Sequence, residues 1–125
     1  MTTKNVGDAG EAQALAHLLG QGLTLVERNY RVARGPNARG GEVDLILCEP
    51  DGTLVFVEVR TRRSASHGGA AASVGTIKQR RLVLAAQHFL QRFKTLPACR
   101  FDVVTIEGQG APARIEWLRA AFDTS

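Results

Sequence analysis

Two hydrophobic periods run along this chain, and the places where one gives way to the other mark out seven elements. Ala12, Leu15, Ala16, Leu18 and Leu19 form a helical stripe that stops near Gly20 and Gly22. Asp8 followed three residues later by Glu11 has the form of a capping box, so a first helix is predicted over about residues 8–20. Leu23 to Val32 is rich in strand formers and reads as strand 1, ending before the glycine-containing segment from Arg34 to Gly41. Strand 2 is predicted from about Glu42 to Cys48 and strand 3 from about Thr53 to Arg60. Glu49-Pro50-Asp51-Gly52 between them is a strong hairpin signal, which makes the two strands antiparallel neighbours.

Beyond the small, polar segment from Thr61 to Gly75, Thr76 can cap a second helix, with Ile77, Leu82, Ala85, Ala86, Phe89 and Leu90 on one face. Arg100 to Ile106 and Arg114 to Arg119 supply two more strands. A strand, a helix and a strand in that order favour a right-handed crossover with strands 3 and 4 parallel. The expected fold is α/β, a mixed β-sheet flanked by helices in the order αβββαββ. With 125 residues, one domain spanning 1–125 around a single core is expected.

Composition adds little to this outline, since 44% hydrophobic and 22% charged residues are ordinary for a globular protein. No apolar h-region follows Met1, and the longest apolar runs are strand-sized, so a cytoplasmic protein without a membrane span is expected. Cys48 and Cys99 lack C-x-x-C spacing, and His17, His67 and His88 lack ligand spacing. Charge changes the picture more. The net charge is +4, and its distribution is uneven. Arg28, Arg31, Arg34 and Arg39 occur with no acid between them, and Arg60, Arg62, Arg63, Lys78, Arg80 and Arg81 follow Glu58 with no further acid. Such segments attract phosphate, or are simply solvated loops.

Within this setting two acids stand in apolar strands, Asp44 in strand 2 and Glu58 in strand 3. Buried carboxylates require a compensating charge. If the hairpin loop is Pro50-Asp51-Gly52, with Gly52 in the left-handed region, Glu49 faces Thr53 and Asp44 faces Glu58. Facing Cβ atoms lie about 4.5–5.5 Å apart, and like charges there repel unless neutralised. A Mg²⁺ ion would do so, because it favours one or two carboxylates with water and phosphate completing its octahedron. An ion pair with Arg60 or Arg62 is the structural alternative. Arg60 falls on the face of Glu58, whereas Glu42 reads as a solvated or strand-edge charge. Tyr30, Phe101 and Trp117 read as packing aromatics, and Asp102 either lies near the acids or pairs with Arg100.

Gly41-Glu42-Val43-Asp44-Leu45-Ile46 followed by Phe56-Val57-Glu58-Val59-Arg60-Thr61-Arg62 resembles the PD-(D/E)xK core of restriction endonucleases and archaeal Holliday junction resolvases. From Gly7-Asp8-Ala9-Gly10-Glu11-Ala12 through Arg100-Phe101-Asp102-Val103-Val104 the chain resembles more closely the bacterial YraN-like family of predicted endonucleases. The resemblance implies a restriction-endonuclease-like sheet, Mg²⁺ or Mn²⁺ on Asp44, Glu58 and Glu11, and a catalytic cation at position 60. It implies hydrolysis of DNA phosphodiester bonds, with branched DNA as a candidate substrate, and leaves room for a homodimer. Arg31, Arg34, Arg39, Arg62, Arg63, Lys78, Gln79 and Arg81 are the residues expected to meet nucleic acid.

Position 60 holds arginine where the motif usually has lysine. Arginine neutralises a phosphate, but its guanidinium stays protonated in water and does not take a proton from it. A charge-only, nucleophile-positioning role could pass to Arg60, or Lys78 at the start of helix 2 could replace it, and Gln79 beside it could orient a water. The alternative function is a catalytically silent nucleic-acid-binding or scaffold protein that retains the fold.

Overall fold

A computed structural model of the chain describes residues 3–33, 40–62, 74–108 and 114–122. The elements follow the expected order: α1 (Thr3–Gly20), β1 (Thr24–Val32), β2 (Gly41–Cys48), β3 (Leu54–Arg62), α2 (Thr76–Leu90), β4 (Cys99–Glu107) and β5 (Arg114–Leu118). The five strands form one mixed sheet in the order β1-β2-β3-β4-β5. Only β3 and β4 are parallel, and α2 makes the crossover between them.

The β2–β3 turn sets the register. Gly52 N–H donates to the Glu49 carbonyl and Glu49 N–H to the Thr53 carbonyl, both at 2.9 Å. The Asp51 carboxylate takes the Thr53 N–H at 2.9 Å. Gly52 has φ +94°, the left-handed region that a residue without Cβ enters freely. Cys48 therefore pairs with Leu54, Leu47 with Val55, Ile46 with Phe56 and Leu45 with Val57, as expected of the three-residue loop.

Both faces of the sheet are apolar, and each carries a helix. Leu82, Ala85, Ala86 and Phe89 of α2 pack on Val43, Ile46, Leu54, Phe56, Phe101 and Val103. Ala14 and Leu18 of α1 pack on Leu45, Leu47, Val55, Val57, Val104 and Ile106 of the opposite face. Tyr30 meets Phe89 edge-on, Phe56 stacks on Phe101, and Trp117 joins the α1-side core, so these aromatics serve packing.

Three details differ from the sequence pattern. Helix α1 begins at Thr3, so Asp8 and Glu11 lie inside it and not at its N-terminus. Its buried positions are Ala14 and Leu18 with Leu15 half-buried, whereas Ala12, Ala16 and Leu19 face solvent. The pair spaced by four defines the contact line, and the predicted stripe overlaps it only at Leu15 and Leu18. On α2, Ile77 is 58% exposed, because the helix docks through its later turns and Val74 before it fills the core. No helix among the described residues is long and apolar enough to cross a membrane.

Candidate acid pair and its cations

Asp44 occupies a point where β2 changes phase. Val43 packs on the α2 side and Leu45 on the α1 side, although residues two apart in a regular strand share a face. Pairing with β3 is regular only as far as Leu45, and the next ladder group is replaced by a side chain: Val59 N–H donates to Asp44 Oδ2 at 2.8 Å. That bond pins the Asp44 carboxylate between the two strands, beside Glu58.

Glu58 is 1% exposed, and the cause lies in its neighbours: Phe56 precedes it on the same face, and β4 places Val103 alongside. Lys78, from the first turn of α2, sets Nζ 3.0 Å from Glu58 Oε1, and Arg60 reaches the same oxygen only at 4.0 Å. The second oxygen, Oε2, is buried with no hydrogen-bond partner among the described residues. Burial foremost, then the charge of Asp44, lifts the Glu58 carboxyl to about 7 against the opposing pull of Lys78. Asp44 is raised as well, by burial, with the Val59 N–H and the charge of Lys78 acting against it. Each acid is thus costly to ionise beside the other, which is the electrostatic condition for binding a dication in exchange for a proton.

The structure therefore brings Asp44, Glu58, Arg60 and Lys78 to one place. Glu11 is half-buried on α1 with Oε1 sealed from solvent, and the preceding Gly10 packs so closely on β3 that a Cβ there would clash with Thr61 Oγ1. No group of three or more His, Cys, Asp or Glu poised for a metal occurs among the described residues. Gln79 donates through Nε2 to the Val74 carbonyl at 2.9 Å and fixes the approach to α2.

Of the other basic residues, Arg31 and Arg81 both pair with Glu42, at 3.8 and 3.5 Å. Glu42 is thus a half-buried bridge between β1 and α2 rather than a solvated edge charge. Arg34, Arg39 and Arg63 lie outside the described residues, as does the side chain of Arg62. Asp102 lies on the α1 side with Trp117 and joins Arg100 instead of the acid pair. Sequence reasoning missed the Glu42 bridge, whose signal was the excess of arginines with no other acid near them.

Comparison with known proteins places these residues in a family. The family model for "Uncharacterised protein family UPF0102" matches residues 10–106, which include both acids, Arg60 and Lys78. A UPF0102 protein of Methylibium petroleiphilum is 66% identical over 125 residues, covering 100% of this chain and 99% of its own length. UPF0102 proteins of Acidovorax sp. and Polaromonas naphthalenivorans are 58% and 56% identical, covering 99% and 100% of this chain and 89% and 83% of their own lengths.

Proposed function

The chain belongs to the uncharacterised protein family UPF0102, and from that premise we propose that it is a metal-dependent endonuclease-like protein that binds DNA, branched DNA included, and hydrolyses phosphodiester bonds. The proposal includes a restriction-endonuclease-like arrangement of the sheet. One observation carries it: Glu58 is a buried carboxyl beside a second carboxyl, with a cation on one oxygen and, among the described residues, no hydrogen-bond partner on the other. A strand interior gains no stability from such a group, and perturbed acids of this kind concentrate at functional sites.

The donor set suits a hard dication. Asp44 and Glu58 would hold Mg²⁺ or Mn²⁺, with Glu11 the further candidate from α1. When bound, such an ion polarises a phosphoryl oxygen and lowers the pKa of water. The chain's own groups divide the remaining work. Val59 N–H fixes the orientation of Asp44, so that ligand is set before any substrate arrives. Arg60 and Lys78 bring two positive charges to where a phosphate would approach the acids. Lys78 is nearer, and an ammonium can exchange a proton with a neighbouring water whereas a guanidinium stays charged. No part of the sequence resembles a base-reading module, so recognition by shape is favoured.

The test incubates the purified chain and its Asp44→Ala variant with branched and linear DNA, with Mg²⁺ or Mn²⁺. Metal-dependent cleavage that disappears in Asp44→Ala is the expected result, and cleavage that persists in the variant sinks the site. Arginine at position 60 favours the second reading, a silent nucleic-acid-binding or scaffold protein. That reading predicts salt-dependent DNA binding indifferent to metal, with no cleavage of any substrate.

A further inference from the structure

Besides Glu58 Oε2, Thr105 Oγ1 is a buried side-chain oxygen without a hydrogen-bond partner among the described residues. Thr105 is completely buried in the middle of β4. Its neighbours Val104 and Ile106 pack on the α1 side, so strand alternation turns Thr105 to the other face. That is the face of Glu58 and Arg60. The parallel register sets Thr105 beside Arg60 and Val103 beside Glu58, which makes Thr105 the diagonal neighbour of Glu58.

A hydroxyl in this position is unexpected on packing grounds. Valine has the same shape and an equal liking for strands, and it would remove the cost of a buried unsatisfied group. The other polar residue buried in β4, Asp102, is satisfied by three donors, Arg100 Nε, Trp117 Nε1 and the Ala120 N–H, so the strand does not otherwise tolerate orphaned oxygens. Two such oxygens on one face of adjacent strands have a common solution. A single water needs two to four polar partners, and Glu58 Oε2 with Thr105 Oγ1 supplies two.

We infer that Thr105 is a positioning residue of the acid pair: its hydroxyl and Glu58 Oε2 hold one buried water in common, and that water orients the Glu58 carboxyl with Oε1 toward Lys78. The consequence for ion uptake rests on the metal reading above, whereas the water itself does not. A ligand held by such an outer partner loses affinity when the partner is removed.

Crystal structures of the metal-free chain and its Thr105→Val and Thr105→Ser variants, with Mn²⁺ titration calorimetry on all three, test both parts. The expected result is a water within about 3.2 Å of both oxygens in the parent and in Thr105→Ser. In Thr105→Val the water is absent and Mn²⁺ affinity falls about tenfold or more, while Thr105→Ser stays close to the parent. A parent structure without the water overturns the inference even if Mn²⁺ binds, and so does a Thr105→Val variant that binds Mn²⁺ as the parent does. A parent that holds the water but takes up no Mn²⁺ overturns the metal reading and the positioning role together. The parent structure decides the water even if the valine variant fails to fold.

Discussion

Lys78 Nζ stands 3.0 Å from Glu58 Oε1, whereas Arg60, only two residues from Glu58 in the chain, stands 4.0 Å from the same oxygen. Among the described residues, the cation closest to Glu58 thus comes from α2, twenty positions downstream in the sequence. If the proposed cleavage depends on a cation held against Glu58, Lys78→Met should lower kcat by roughly 10²–10⁴-fold. Arg60→Lys, which keeps the charge on β3, should cost far less. Single-turnover cleavage of one DNA substrate by both variants checks this, and the reverse ranking would return the catalytic role to position 60.

The acid pair also makes stability depend on pH. In the unfolded chain Glu58 ionises near its ordinary value of 4.5, and in the folded chain at about 7, so the folded state holds the extra proton between these values. Stability of the metal-free protein should therefore fall as pH rises from about 4.5 to 7, with Asp44 acting in the same direction. The shift corresponds to about 3 kcal/mol once pH exceeds 7. Urea denaturation between pH 5 and 8 should show the decline in the parent and a flatter profile in Glu58→Gln. A parent that gains stability over this interval would contradict the buried, proton-holding carboxyl.

Much of the site was legible because it depends on local chemistry. Pro50-Asp51-Gly52 dictates a three-residue turn, the turn sets the register from Cys48–Leu54 to Leu45–Val57, and that ladder leads to the neighbouring positions Asp44 and Glu58, fourteen residues apart in the chain. The Lys78 contact could be named only as an alternative, because it depends on where α2 docks on the sheet. Docking also decides the buried face of α1: the sequence stripe places Leu15 and Leu18 correctly, but it includes the exposed Ala12, Ala16 and Leu19 and leaves out the buried Ala14. Thr105 gave no signal at all. Threonine is an ordinary strand residue, and only its burial without a partner among the described residues separates it from the valines around it.

The network around Asp102 should be structural and independent of the acid pair. Its carboxylate is fully buried and accepts from Arg100 Nε at 3.0 Å and from Trp117 Nε1 and the Ala120 N–H, each at 2.9 Å. Arg100 also donates to Glu49 Oε1 at 3.0 Å, which ties β4 to the β2–β3 turn. Asp102→Ala leaves three donors and part of a buried charge unanswered, and should cost about 3–5 kcal/mol. Chemical denaturation measures the loss. Because the network lies on the opposite face from Glu58, the folded fraction of the variant should keep the parent's Mn²⁺ affinity. A matching fall in affinity would mean that the two clusters are coupled through the sheet.

Glu42 restrains two of the cations assigned to nucleic acid. Its Oε1 lies 3.5 Å from Arg81 Nη2 and its Oε2 3.8 Å from Arg31 Nε, while Arg81 Nε donates to the Gly40 carbonyl at 3.3 Å. Arg31 is three-quarters exposed and Arg81 about one-third, so both pairs are screened and contribute little to stability. Their cost would appear in binding, since a guanidinium answered by a carboxylate offers less net charge to a phosphate. Glu42→Gln should therefore tighten DNA binding, and Arg81→Ala should weaken it similarly for every sequence. Taking one arginine away from the phosphate backbone should reduce the slope of log affinity against log salt by about 1. Fluorescence anisotropy with one labelled duplex over a series of salt concentrations reads both effects. An Arg81→Ala slope equal to the parent's would remove the start of α2 from the nucleic-acid surface.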